Sequence, residues 1–314
     1  MDDRMHPEMR AAKQMMDQAA AAFPPVSLEP PLDASRAIND QLLMKLAEGG
    51  PQMHHSKDVF IAAHGRRIQC RMHKPVDKPN LPILVWFHGG GWVWSSIDTH
   101  DRLVREYAAA GEVATVNVDY SLAPEAKFPR AVFEAADAIR QIAHHAHAWG
   151  LDPSRIAVGG DSAGGNLALA AAMLLRDTNG PALRGLLPVY PVTDAACETL
   201  SYQEFGEDYG LTRVGMRAYW DLYLSHPADR YNPLAAPLRG DVAGLPPTYL
   251  PVAELDVLRD EGIAMAEKMQ AAGVEVTLEI CPGVLHGFMR LTGHVSVARD
   301  SVAKAGAFLR RVMT

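Results

Sequence analysis

Ser162 lies in Gly160-Asp161-Ser162-Ala163-Gly164, a G-x-S-x-G pentapeptide. The apolar run Ile156-Ala157-Val158 enters it, and an apolar helical pattern from Leu167 leaves it, so the serine stands at a strand-to-helix turn. A turn that sharp strains its central residue, and the flanking glycines leave no side chains to collide around it. A hydroxyl presented this way suits nucleophilic attack, which requires a base, and the base requires an orienting carboxylate. The pentapeptide alone is short enough to arise by chance, so its partners must decide.

Thirteen histidines are available, and position separates them. In a parallel sheet, functional groups collect beyond the carboxyl ends of strands. His286 fits: strand Glu275–Ile280 ends, Cys281-Pro282-Gly283 turns, and Leu285-His286-Gly287-Phe288 follows. His144, His145 and His147 belong to a solvated helix face. His6, His54, His55, His64, His73, His100, His226 and His294 read as surface or turn residues. For the carboxylate, Asp256 lies just past strand Pro247–Val252 and before a helix, with Glu254 in reserve. Asp260 and Glu261 suit that helix's first turn, where negative charge favours the dipole.

Phe87, at the end of another strand, runs into His88-Gly89-Gly90-Gly91-Trp92. Backbone N–H groups of such glycines can converge on a cavity and, with that of Ala163, stabilise a tetrahedral oxyanion. His88 and Asp161 are expected to support the loop. A phosphate cradle is the competing use, but neither G-x-G-x-x-G nor G-x-x-x-x-G-K-[ST] is present here.

These groups need a scaffold. A chain of 314 residues, 48% apolar and 21% charged, can bury a substantial core. The pattern gives a hairpin, Asp58–Ala63 and Arg67–His73, across His64-Gly65. Strands follow at Pro82–Phe87, Val113–Val118, Arg155–Val158, Leu186–Val189, Pro247–Val252 and Glu275–Ile280. Helices alternate with them: Asp98 or Thr99 (as cap) to Ala110 with Gly111 just beyond, Pro129–Trp149, Asp260–Ala272 and Val295–Val312. That alternation predicts an α/β fold, a mainly parallel sheet of about eight strands covered on both faces. The first fifty residues add a Met-rich helix, Glu8–Ala22, and a second from Asp33 or Ser35 to Glu48. The methionines read as packing material rather than an adaptable lid.

A net charge of −7 argues against nucleic acid. Cys70, Cys197 and Cys281 are odd in number and lack C-x-x-C spacing, so zinc and a disulfide framework are not expected. No signal peptide or membrane span is visible, which makes a cytoplasmic setting the expectation.

The chain resembles the hormone-sensitive-lipase-like esterases, bacterial family IV of the α/β-hydrolases. The matching text is H-G-G-G-W at 88–92, D-Y-S-L-A-P-E at 119–125, G-D-S-A-G-G-N at 160–166, Y-P-V-T-D at 190–194, L-D-V-L-R-D-E-G at 255–262 and L-H-G-F at 285–288. It covers the chain from about Lys57 onward. The resemblance implies Ser162 as nucleophile, His286 as general base and acid, Asp256 as its partner, and Gly89, Gly90, Gly91 and Ala163 as the oxyanion hole, with Gly90 and Gly91 the stronger donors and Gly89 the weaker. It also implies one α/β-hydrolase domain, 1–314, with a helical cap from about 1–50 plus an insertion at about 195–238. Two departures stand out. Ser121 replaces a usual Arg, which removes a charge contact, and Val257 replaces a common Pro, which loosens the acid's loop. Ala123-Pro124 and Phe128-Pro129 are candidates for cis peptide bonds.

The implied reaction is carboxylic ester hydrolysis through an acyl-enzyme, on short to medium acyl chains, with no metal or organic cofactor. An amidase or arylformamidase with the same triad is the first rival. A non-catalytic ligand receptor on this scaffold is another, although such receptors lack the histidine. A peptidase is the third. Pairing of two copies through the last strand and helix is a further expectation from the resemblance.

Overall fold

A computed structural model describes residues 3–314, so the first two residues of the expected domain lie outside the described residues. Two helices come first, α1 (Pro7–Ala20) and α2 (Asp33–Ala47). A hairpin follows, β1 (His55–Ala63) and β2 (Arg66–Lys74), then β3 (Leu81–Phe87), α3 (Asp101–Gly111) and β4 (Ala114–Val118). Next come α4 (Arg130–His145), β5 (Leu151–Asp161), α5 (Ala163–Asp177) and β6 (Leu183–Val189). The insertion carries α6 (Leu200–Glu204) and α7 (Arg213–Tyr223). Then β7 (Thr248–Leu255), α8 (Arg259–Ala271), β8 (Val276–Leu285) and α9 (Ser296–Val312) complete the chain.

The eight strands form one sheet in the order β1-β2-β4-β3-β5-β6-β7-β8, antiparallel through β2–β4 and parallel beyond. The continuously apolar β3 and the inner end of β5 are buried, as strands covered on both faces should be. Helix α5 is apolar nearly all round and accordingly lies in the interior. Helices α3 and α9 pack against one another, while α4 and α5 form a second pair.

One feature of the topology positions the chemistry. The chain steps from β3 to β4 in one direction, then crosses back so that β5 lies on the other side of β3. Phe87 and Gly160 are register partners, so the glycine loop and the serine turn leave the sheet side by side. Ligand sites of open α/β sheets form at such a switch point.

Several local expectations change. Helix α3 starts at Asp101, with neither Asp98 nor Thr99 as its cap; Thr99 Oγ1 instead accepts the N–H of Ser96, at 3.0 Å. Gly111 closes α3, and Glu112 takes the left-handed conformation, with φ 53°. Helix α2 begins at Asp33 without a side-chain cap, and Ser35 Oγ accepts the N–H of Ser27. Cys281-Pro282-Gly283 is not a turn: β8 continues through it with a register irregularity, where Glu254 accepts the N–H of Gly283 at 2.7 Å. Ala123-Pro124 and Phe128-Pro129 are both cis, as is Pro30-Pro31.

Candidate active site

Strand β5 delivers Ser162 at φ 57°, ψ −118°, and α5 begins at the next residue. A non-glycine residue there costs on the order of 1–3 kcal/mol, which the surrounding structure must hold in place. Ser162 N–H donates to Val189 O at 2.9 Å, tying the turn to β6. Both flanking glycines are required sterically. A Cβ on Gly164 would overlap Phe87 O, and one on Gly160 would overlap Gly164 O. The first N–H groups of a helix lack intrahelical acceptors, which leaves that of Ala163 available beside the serine.

His286, just past β8, reaches Ser162 Oγ with Nε2 at 2.9 Å and Asp256 Oδ2 with Nδ1 at 2.6 Å. A carboxylate only accepts hydrogen bonds, so Nδ1 carries the proton and Nε2 presents its lone pair to the hydroxyl. Asp256 is buried, and its other oxygen accepts the N–H of Leu258 at 3.0 Å. Tyr190 packs edge-on to the imidazole, ring centroids 4.8 Å apart. Glu254, the reserve acid, instead serves the β8 irregularity.

The loop after Asp256 is fixed more firmly than the Val257 substitution suggested. Ser201, from the insertion, donates its hydroxyl to Val257 O at 2.6 Å and its N–H to Asp260 Oδ2 at 2.7 Å. Asp260 and Glu261 do occupy the first turn of α8. Glu261 is buried and accepts the N–H of Thr193 at 2.6 Å, and burial pushes its carboxyl well above the usual range.

The glycine loop divides. Gly89 N–H donates to Asp161 Oδ1 at 3.0 Å, so it is committed and drops out of the expected oxyanion donors. Gly90 and Gly91 face the cavity, and the carbonyl of Gly90 turns away to accept from Val93 and Trp94. Gly91, at φ +60°, lies under the Tyr219 ring, where a Cβ would meet Cγ at 2.7 Å.

Behind the loop lies a buried network. His88 Nδ1 contacts Gly89 O at 2.8 Å, and its ring stacks on Tyr120 with centroids 4.4 Å apart. Burial, then the charge of His100, push His88 down to about 3, so it is a neutral imidazole that braces the loop. His73 and His100, expected at the surface, are buried. His100 Nε2 lies 3.3 Å from Asp161 Oδ2. No sequence signal pointed to His100, because its partner is remote in the chain.

Burial opposes the charge on Asp161, but the attraction of His100, its hydrogen bond and the charge of Arg290 prevail, holding the carboxyl at about 2 against an ordinary 3.8. A folded value below the unfolded one contributes stability that is complete above about pH 4 and lost as pH falls towards about 2. Asp161→Asn is therefore expected to be less stable than wild type in urea at neutral pH, with the gap closing in acid. Turnover is expected to fall roughly ten- to a hundredfold as the loop loses its anchor. Equal urea midpoints at neutral pH would show that Asp161 carries no such load.

Ser121 also has an outcome. Its hydroxyl and N–H both donate to the buried Glu134, at 2.8 Å, while Arg66 and Arg130 each place Nε 3.1 Å from Oε1. The buried carboxylate beside Ser121 is thus paired by charges from β2 and α4.

A cavity of about 280 Å³ lies over Ser162 and His286, lined also by Leu43 of α2 and by Leu211, Met216 and Tyr219 of the insertion. No methionine of α1 reaches it. A larger hollow of about 540 Å³ lies beside Arg71, Asp101 and Arg105, where those charges are already paired, and its lining includes neither Ser162, Asp256 and His286 nor the glycine loop. Among the described residues, no cluster of three or more His, Cys, Asp or Glu is arranged to hold a metal.

A serine hydroxyl, an imidazole and a buried carboxylate in hydrogen-bonded series, with Gly90 and Gly91 lining the same cavity, can support acyl transfer. Comparison with known proteins agrees with that architecture. A family model described as alpha/beta hydrolase fold matches residues 84–290. The chain belongs to the hormone-sensitive-lipase-like branch of the α/β-hydrolases. It is 38% identical over 243 residues to carboxylesterase NlhH of Mycobacterium tuberculosis, 76% of each chain. It is 34% identical over 309 residues to the ethyl acetate hydrolase of Pseudomonas putida, 95% of this chain and 96% of that one. A thermostable esterase from Pseudomonas putida ECU1011 superposes with a TM-score of 0.93 at 33% identity, covering 100% of this chain and 99% of the other. Within this branch, no helix among the chain's described residues is long and apolar enough to cross a membrane.

Proposed function

We propose that this carboxylesterase cleaves short- to medium-chain acyl esters through an acyl-enzyme on Ser162. His286 Nε2 takes the hydroxyl proton as Oγ attacks the ester carbonyl, and Asp256 stabilises the imidazolium that results. The oxyanion lies against the N–H groups of Gly90, Gly91 and Ala163. The alcohol leaves with the proton from His286, and water repeats the cycle to release the acid. The observation that carries this reading is the continuous series Asp256–His286–Ser162, at 2.6 and 2.9 Å.

Residues 1–50 and 195–238 serve as the cap in this reading, supported by Leu43, Leu211, Met216 and Tyr219 over the serine. The acyl preference rests on the small size of the cavity over Ser162, about 280 Å³. A panel of p-nitrophenyl esters is expected to show kcat/KM highest for short acyl chains and falling steeply for long ones, with N-formyl amides turned over more slowly. A maximum at long chains, or faster amide cleavage, would contradict it.

The same reading pairs two copies through β8 and α9. β8 is an edge strand, and Ile280 on it is 49% exposed. Sedimentation is expected to give twice the 34.1 kDa chain mass, and a monomer would end the idea. Three separate buried thiols, Cys70, Cys197 and Cys281, support a reducing, cytoplasmic setting.

A further inference from the structure

Arg290 lies on the short 3-10 turn Phe288–Leu291 that follows His286, and it lines the same cavity as Ser162. Its guanidinium packs on Gly287, with Nη2 3.4 Å from where a Cβ would stand. Its Nε is buried without a hydrogen-bond partner, and among the described residues the side chain makes no hydrogen bond or ion pair. That sets it apart from Arg71, Arg105, Arg130 and Arg155, each of which has a carboxylate within hydrogen-bond distance.

An unpaired, partly desolvated cation is costly to keep, and its fork of donors matches a carboxylate in a bidentate fashion. The carboxylate that shares the cavity wall with it is Asp161, which feels the charge of Arg290. Both its oxygens are already engaged, by Gly89 N–H at 3.0 Å and by His100 Nε2 at 3.3 Å. Asn39 of α2 and Ser95 of the glycine loop's continuation add an amide and a hydroxyl to the same wall. The cavity therefore presents a reacting serine at one place and an unsatisfied cation with polar neighbours at another.

We propose that Arg290 binds a free carboxylate on the substrate, so that the enzyme's preferred esters are anionic, of the size of half-esters of short dicarboxylic acids. This rests on the ester-hydrolysis reading above. The carboxylate is a spectator: one water is consumed, the ester C–O bond breaks, and a diacid and an alcohol are released. The small cavity favours a short spacing between that carboxylate and the ester carbonyl.

The test compares kcat/KM for monoethyl succinate and ethyl levulinate, which replaces the carboxylate by a methyl ketone of similar shape. Wild type is expected to prefer monoethyl succinate, and raising ionic strength is expected to erode that preference. Arg290→Met is expected to cut the preference about ten- to a hundredfold, chiefly through KM, as for loss of a charged hydrogen bond. Arg290→Lys should restore much of it. Ethyl levulinate turnover by the variants reports that they are folded. A wild-type preference for ethyl levulinate, or a preference that neither salt nor Arg290→Met moves, would overturn the proposal while leaving ester hydrolysis standing. Wild-type enzyme inactive on both esters would overturn the hydrolysis reading, and this one with it.

Discussion

Ser162→Ala is expected to lower kcat for a short-chain p-nitrophenyl ester by about 10⁶-fold, the scale seen when a serine hydrolase loses its nucleophile. The substitution removes Oγ and its 2.9 Å contact with His286. It leaves the hydrogen bond from the Ser162 N–H to Val189, and the glycines that permit the turn, untouched. Alanine is no worse than serine at φ 57°, so the backbone strain is unchanged. The thermal midpoint should accordingly stay within a few degrees of wild type. Assayed beside a circular-dichroism melt, a folded variant with substantial turnover would remove Ser162 from the chemistry.

Asp256→Asn is expected to cost about 10⁴-fold in kcat, although it preserves the shape of the side chain. The carboxylate accepts from two donors at once, Leu258 N–H at 3.0 Å and His286 Nδ1 at 2.6 Å. An amide has one oxygen. If that oxygen faces Leu258, the NH₂ group faces His286 and forces the proton onto Nε2, which then cannot accept from Ser162. If it faces His286, two donors meet at Leu258. Either way the imidazole loses its tautomer or the loop loses an anchor. Single-turnover kinetics at neutral pH would measure this directly, and a loss smaller than tenfold would mean that the acid is supplied elsewhere.

The sequence made the strand ends legible, and with them Ser162, Asp256 and His286, because each follows a run of apolar residues that buries as a strand. The structure brings those side chains into hydrogen-bond contact. What stayed hidden depends on contacts between remote segments. Gly89 looked like a weaker third donor beside Gly90 and Gly91, and only the position of Asp161 one strand away shows that its N–H is already engaged. His100 looked like a surface or turn residue, yet it is buried with Asp161 as its partner. The Val257 loop looked loose because its tether, Ser201, comes from the insertion. Pro282 and Gly283 looked like a turn because β8 tolerates an irregularity that Glu254 satisfies. Local chemistry marks where strands end and turns tighten. It does not say which donors are already engaged.

The chemistry claimed for Ser162 is tested most directly by covalent labelling. Wild-type protein treated with diethyl p-nitrophenyl phosphate, then digested and sequenced by mass spectrometry, should carry one diethylphosphoryl group, on Ser162, with activity lost in proportion to labelling. A label on another residue, or full ester hydrolysis by protein labelled at Ser162, would contradict the account.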